Sequence, residues 1–155
     1  IAGIDCGYRT GGVALITEGE AEVHDLPVFS EGGVDMRELL DILSDRGVAH
    51  IFIERQQAMP RQGVSSTFNF GSMYGGASSF LMGMLGMENV WFETPAKWKG
   101  AMGLTREKTL SLQIATEVFG EEVRDHYWRR KKDNGRAEAA LLCHYYLEHI
   151  VKGED

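Results

Sequence analysis

The sequence is short of most features that mark secreted, membrane-spanning or multidomain chains. Its 155 residues hold two cysteines, Cys6 and Cys143. They form neither a disulfide framework nor a metal-ligand spacing, and read as small apolar residues in a reducing compartment. No apolar run approaches the roughly 20 residues that a bilayer-crossing helix requires. Ile1-Ala2-Gly3-Ile4-Asp5 lacks the basic region and long apolar core of a signal peptide. Repeats, low-complexity tracts and linkers are missing too, so residues 1–155 read as a single domain around one core. Positive charge is scarce: 16 Lys and Arg against 23 Asp and Glu give a net charge of −7, which taken whole argues against a polyanionic partner. The distribution of charge points the other way. Between Lys97 and Lys132 nine Lys or Arg stand against five Asp or Glu, a local +4 that leaves −11 elsewhere. Such a stretch suits a phosphate-binding face or an ordinary solvated helix surface, and composition alone does not choose.

What is present has the rhythm of an α/β domain. Ile1–Asp5 is a short apolar run ending in an acid, Gly12–Thr17 is β-rich, and Ala21–Phe29 alternates as a third strand. Glu18-Gly19-Glu20 between the last two is hairpin chemistry, so the three strands read as an antiparallel meander. Met36, Leu39, Leu40 and Leu43 recur at helical spacing before a stop at Gly47. Val48–Glu54 is a buried strand, placed parallel to the first by the intervening helix. Val64–Leu85 has the length of a long helix yet contains Gly71, Gly75, Gly76 and Gly83. Each glycine costs a helix about 1 kcal/mol relative to alanine, which implies close approach of another backbone, from this domain or from a partner subunit. A short strand follows at Asn89–Phe92, and Thr94-Pro95 opens a helix with a capping hydroxyl and a first-turn proline. Another helix spans Lys108–Phe119 with Gly120 as its stop, and the last runs from about Gly135 to Val151, with Glu138 in its first turn. The order β-β-β-α-β-α-β-α plus a terminal helix makes a mixed five-stranded sheet with helices packed on it.

Three acids then fall where a metal site would use them. Asp5 ends the first strand, Glu54 ends the fourth, and Glu138 opens the last helix. Adjacent parallel strands would aim Asp5 and Glu54 into one crevice, and a helix across that end would add Glu138. Hard divalent cations such as Mg²⁺ favour carboxylate oxygens, and a pair of them can promote phosphodiester cleavage. Singly, each acid also fits a plain structural role: a turn cap, an exposed strand end, a charge near a helix N-terminus. Jointly they favour the metal site. Gly3-Ile4-Asp5-Cys6-Gly7-Tyr8-Arg9-Thr10 also resembles the first phosphate loop of the actin- and Hsp70-like ATPases. Those folds use two lobes to enclose a nucleotide, so no nucleotide cofactor is expected of 155 residues.

A longer set of motifs is more specific. Gly3-Ile4-Asp5-Cys6-Gly7 with Gly11-Gly12 is followed by Ile51-Phe52-Ile53-Glu54. Gln62-Gly63-Val64-Ser65-Ser66 then runs to Phe70-Gly71 and Tyr74-Gly75. Thr94-Pro95, Trp98-Lys99 and Arg106-Glu107-Lys108 come next, and Arg130-Lys131-Lys132-Asp133-Asn134-Gly135-Arg136-Ala137-Glu138-Ala139 closes the set. In this order, over nearly the whole chain, the sequence resembles the RuvC-like Holliday junction resolvases of the RNase H-like superfamily, in particular the phage-type and plastid-type branch.

The resemblance implies an RNase H-like fold and a Mg²⁺-dependent endodeoxyribonuclease, with Mn²⁺ as a substitute, that nicks four-way DNA junctions in pairs as a homodimer. It implies metal ligation by Asp5, Glu54 and Glu138, with a fourth ligand one helical turn before Glu138. Asn134 holds that place where relatives have Asp or His, and Asp133 lies beside it, so either Asp133 serves, Asn134 suffices, or the substitution inactivates the site. Lys99 and Lys108 match lysines near the scissile phosphate. Arg129, Arg130, Lys131 and Lys132 are expected on DNA phosphates; Arg61, Gln62, Ser65, Ser66 and Phe68 are expected near the junction centre. The Gly-rich helix is the expected dimer surface. A cytoplasmic setting in a bacterial or phage-infected cell follows, with an organelle as the alternative. Competing readings are the same nuclease acting on other branched DNA or hybrids, and a non-catalytic junction-binding module.

Overall fold

The computed structural model describes residues 1–152. Five strands, β1 (Ala2–Asp5), β2 (Gly12–Thr17), β3 (Glu20–Asp25), β4 (Ile51–Glu54) and β5 (Val90–Glu93), form one sheet in the order β3-β2-β1-β4-β5. β1, β2 and β3 pair antiparallel; β4 and β5 join parallel to them through β1. This is the mixed α/β sheet that the sequence implies. The β2–β3 hairpin turns on Glu18 (φ 52°) and Gly19 (φ 87°), two successive left-handed residues whose twist matches that of the flanking strands.

Side-chain alternation divides the sheet into two buried faces. Ala2, Ile4, Val13, Leu15, Ile51 and Ile53 point to one face, where Leu39 and Leu43 of α1 (Met36–Ser44) and Leu81 of α2 (Val64–Leu85) cover them. Ala14, Val23 and Phe52 point to the other, beneath α6 (Asn134–Tyr146), with Trp98 of α3 (Pro95–Ala101) and Ala115 of α4 (Lys108–Phe119). Asp5 and Glu54 have the parity of Gly3 and Phe52, so their carboxyls leave the sheet on the α6 side.

α6 lies unusually close to the sheet. A Cβ on Gly3 would stand 2.3 Å from the Ala139 carbonyl oxygen, and one on Gly12 would stand 2.3 Å from that of Gly135. These contacts are with backbone, which cannot swing aside. Glycine at positions 3 and 12 therefore sets how near Glu138 comes to β1.

Several boundaries differ from those the sequence implies. β3 ends at Asp25 rather than Phe29, because Leu26-Pro27 turns away; Leu26 N–H instead donates to the Gly11 carbonyl. β4 begins at Ile51 rather than Val48. α6 begins at Asn134, which places Glu138 in its second turn rather than the first. Its end changes to a π-helical turn at Leu147–Val151. Thr94 precedes α3 with Pro95 in the first turn as expected, but its hydroxyl donates to Glu93 at 3.5 Å and caps nothing. A further helix, α5 (Glu121–Tyr127), follows Gly120, whose φ of 91° breaks the chain out of α4. A Cβ on any of the four glycines of α2 would meet nothing within 4 Å among the described residues, so close packing inside the domain does not explain them. Both cysteines are buried, and desolvation pushes each thiol up to about 12, as inert core residues require.

Candidate active site

β1 and β4 run parallel with Ile4 opposite Ile53, so Asp5 and Glu54 leave neighbouring strand ends side by side. The buried Glu54 accepts a hydrogen bond from the Trp98 indole Nε1 at 2.7 Å and another from Gln56 Nε2 at 3.3 Å. Glu138 descends from α6 and accepts from Ser111 Oγ, itself buried in α4, at 2.9 Å. Lys99 of α3 closes the group. Its ammonium lies 2.7 Å from Glu138 Oε2, 3.4 Å from Glu54 Oε2 and 5.2 Å from the centroid of the Trp98 ring.

The electrostatics follow from this crowding. Burial, then the Glu138 and Glu54 charges, push the Asp5 carboxyl up from 3.8 to about 8, against the opposing pull of Lys99 and Lys108. Burial alone would lower Lys99, but Glu138, Glu54 and Asp5 outweigh it and hold its ammonium above the ordinary lysine value. Three converging carboxylates with one compensating ammonium carry surplus negative charge in a half-buried place. That donor set suits a hard divalent cation. Among the described residues, no three His, Cys, Asp or Glu side chains are already gathered at ligating positions. Lys99 fills the space between two of the acids.

Beside Asp5 opens a cleft of about 790 Å³, walled by the β1–β2 loop (Arg9, Thr10, Gly11), by Lys108, and by the segment Arg130–Arg136. Six of its lining residues are Lys or Arg and three are Asp, so the basic stretch of the sequence does converge on one surface. Lys108, Lys131 and Lys132 are exposed there. Arg130 has a second engagement: its backbone N–H, Nε and Nη2 donate to Asp133 at 2.9, 3.1 and 3.0 Å. Burial would raise the Asp133 carboxyl, but these bonds outweigh it and hold it below the usual carboxylate range. Asp133 is thus committed to Arg130, whereas Asn134, four residues before Glu138 on the same helix, also lines the cleft. Arg129 lines an adjoining depression with His126 and Tyr127, which shares Arg130, Asp133 and Arg136 with the cleft.

Of the residues expected near a junction centre, none lines this cleft, and Ser66 lines a smaller depression that shares Arg9 with it. Arg61 occupies the left-handed region at φ 68°, in a turn closed by the Gln62 N–H donating to the Met59 carbonyl. The Gln62 side chain accepts from the Met59 N–H and donates to Ser66. Ser65 is exposed, and Phe68 is 72% exposed.

No family model and no curated protein sequence matches this chain. Solved structures do. The chain superposes on Thermus thermophilus RuvC in complex with a Holliday junction substrate, with a TM-score of 0.63 and 16% identity over 96% of this chain and 94% of that one. A second Thermus thermophilus RuvC structure gives a TM-score of 0.58 and 15% identity over 95% and 94%. The yeast mitochondrial Holliday junction resolvase Ydc2 gives 0.60 and 16% over 98% and 81%. The chain has the RuvC fold.

On that fold, the partners of several site residues carry no signal in the sequence. Trp98 and Ser111 hold Glu54 and Glu138 by hydrogen bonds between elements far apart in sequence, which no local pattern reveals. Arg136 forms a bidentate pair with Asp25 at 2.7 Å on the cleft wall. Glu93, paired in register with Glu54, ends β5 and is bound by Lys97 at 2.6 Å. Arg9 had a visible signal, since it lies in the loop that begins at Asp5.

Proposed function

We propose that this protein is a divalent-metal-dependent, structure-selective endonuclease that resolves four-way DNA junctions by paired nicks as a homodimer. The observation that carries this reading is the approach of Asp5, Glu54 and Glu138 to one another beside a basic cleft, with Asp5 held protonation-prone by burial and by the other two charges. Asp5, Glu54 and Glu138, with the Asn134 amide oxygen, would hold Mg²⁺ or Mn²⁺. When bound, such an ion activates water and stabilises charge on the leaving oxygen. The chain's own residues do the rest. Lys108, Lys131 and Lys132 attract the phosphate backbone. Lys99 offers a fixed positive charge at the site, suited to the charge that develops on a phosphoryl group under attack. Trp98 and Ser111 keep the two glutamates aimed.

Dimerisation is supported by α2, a helix of 22 residues without a single charge. Its outer side leaves Val64, Phe68, Phe80 and Met84 exposed among glycines where an added Cβ would meet open space. An uncharged apolar stripe of this kind marks an interface, and a two-fold dimer matches the near two-fold symmetry of a junction. A bacterial or phage-infected cytoplasm, or an organelle, fits the reduced cysteines.

The test is cleavage of a labelled four-way junction with Mg²⁺ or Mn²⁺. Wild type should release paired nicked products, Asp5→Asn and Glu54→Gln should bind without cleaving, and Asn134→Asp should cleave faster. Cleavage by both inactivated variants at the wild-type rate would remove the assigned site. Equal cleavage of linear duplex or hybrid would leave a general nuclease. Tight binding without turnover under any divalent ion would leave a junction-binding module.

A further inference from the structure

Arg136 lies in the first turn of α6, two residues after Asn134 and two before Glu138. Two residues turn a helix through about 200°, so Arg136 projects from the side opposite both. Its guanidinium is engaged on three nitrogens. Nε and Nη2 donate to the two carboxylate oxygens of Asp25, each at 2.7 Å, and Nη1 donates to the Tyr127 carbonyl at 3.1 Å. Asp25 ends β3 and Tyr127 ends α5, so one side chain ties the start of α6 to two other elements.

The remaining contacts of this turn set its distance from the sheet rather than its rotation. A Cβ on Gly135 would stand 2.9 Å from the Gly11 carbonyl carbon, a backbone-to-backbone contact about which a turn can roll. Asp133 precedes the helix but makes no side-chain cap to it, because its carboxylate is held by Arg130. A planar guanidinium in a two-pronged pair, by contrast, fixes an angle. An atom roughly 5–6 Å from a helix axis moves about 1 Å for each 10° of roll, while metal-ligand distances tolerate only about 0.2 Å. A few degrees of roll would therefore disturb both the Asn134 amide and the Glu138 carboxyl. A phosphate finds less use for this arginine, since Asp25 already fills its fork and adds negative charge to the cleft wall.

We propose that Arg136 is a positioning residue: held by Asp25 and the Tyr127 carbonyl, it sets the roll of α6 that presents Asn134 and Glu138 on the cleft side. The proposal rests on the nuclease reading and adds to it a residue that acts through the ligand-bearing helix, without touching cation or DNA.

The experiment measures Mn²⁺ binding by calorimetry, without DNA, for wild type, Arg136→Gln, Arg136→Lys and Asp25→Asn, well below each melting temperature. Charge and position predict opposite signs. Removing a positive charge by Arg136→Gln would by itself tighten cation binding. Positioning predicts that Arg136→Gln and Asp25→Asn both weaken it about 10-fold or more, the low end of the loss when groups that orient metal ligands are removed. Arg136→Lys keeps the charge but not the fork, so it should weaken binding as well. Asp25→Asn is nearly isosteric at a strand end whose side chain is 72% exposed, which keeps the test decisive if the Arg136 variants fail to fold. Junction nicking by the variants should lose kcat while KM stays within about twofold. Mn²⁺ binding as tight as wild type in Asp25→Asn or in either Arg136 variant would overturn the proposal and leave the nuclease standing. So would tighter junction binding by Asp25→Asn in chelator, which marks Arg136 as a phosphate contact. If wild type neither binds Mn²⁺ nor nicks a junction, the nuclease reading fails, and the pair is scored by amide hydrogen exchange. Faster exchange in Asp25→Asn at Glu138, Ala139 and Ala140, whose N–H groups close the first turn of α6, would retain the positioning role; unchanged exchange would remove it.

Discussion

Replacing Asp5 with Asn should stabilise the fold at alkaline pH while removing a carboxylate from the proposed metal site. In the unfolded chain this carboxyl ionises at its ordinary 3.8; in the folded chain it keeps its proton up to about 8. Between those values the folded state binds more protons than the unfolded state, so stability falls as pH rises through that window. The group costs nothing below 3.8 and its full amount above about 8. At ~1.4 kcal/mol per tenfold in proton affinity, that interval corresponds to roughly 6 kcal/mol. Asp5 is only partly shielded at the cleft edge. Water entry and local adjustment reduce the realised cost to about 1.5–3 kcal/mol. Near 2–4 °C per kcal/mol for a domain of this size, Asp5→Asn should raise Tm by roughly 3–12 °C at pH 8.5. At pH 4 the increment should nearly vanish. The assay is thermal unfolding of both proteins in chelator across pH 4 to 9, so that no bound cation compensates the acids. An unchanged or lower Tm for Asp5→Asn at pH 8.5, or an increment independent of pH, would refute the reasoning.

Other consequences can be measured separately. Gly12→Ala places a methyl against the Gly135 carbonyl, so denaturant unfolding should show a loss of about 1–3 kcal/mol; a change within about 0.5 kcal/mol, the size of an ordinary surface substitution, would contradict the close approach of α6. Lys99→Met removes the ammonium between Glu54 and Glu138, so calorimetry should show Mg²⁺ binding roughly tenfold tighter or more. Unchanged or weaker binding would mean that Lys99 does not compete with the cation. Gly75→Leu fills open space in the isolated chain and raises helix propensity, so it should leave the monomer folded and shift sedimentation from dimer to monomer. An unaltered dimer would move the interface away from α2.

The fold is legible wherever one residue pattern decides one element. The Glu18-Gly19 turn, the apolar runs of β1 and β4 and the uninterrupted length of α2 each follow from local chemistry, and the parallel pairing of β1 with β4 follows from the helix between them. Boundaries are less legible where tertiary contacts decide them. Ala21–Phe29 alternates as one strand, yet the backbone leaves the ladder at Leu26, whose N–H finds the Gly11 carbonyl instead. α5 escapes notice because seven residues, Glu121–Tyr127, give too short a window for helical periodicity. The glycines of α2 ask for the close approach of another backbone, and the open space around them in this chain directs that question to a second one.

For the site, the sequence reveals which residues carry charge and the fold reveals which charges meet. Asp5 and Glu54 are legible because period-2 alternation puts both on the face opposite Ile4 and Ile53, and because the parallel register brings their strand ends together. What no pattern discloses is how the acids are restrained without a cation: Glu54 by Trp98 from α3, Glu138 by Ser111 from α4, and both by Lys99. These restraints also bear on Asp133 and Asn134, at the start of α6. Asp133 has the better ligand chemistry, but moving it toward Glu138 would break three hydrogen bonds to Arg130 and open the capped 3-10 turn, Lys131–Asp133, that leads into α6. Asn134 has the weaker ligand chemistry, but it lines the cleft one turn before Glu138. If the proposed metal site holds a cation, this geometry favours Asn134 over Asp133 beside Glu138, with a neutral oxygen where a carboxylate would bind more tightly.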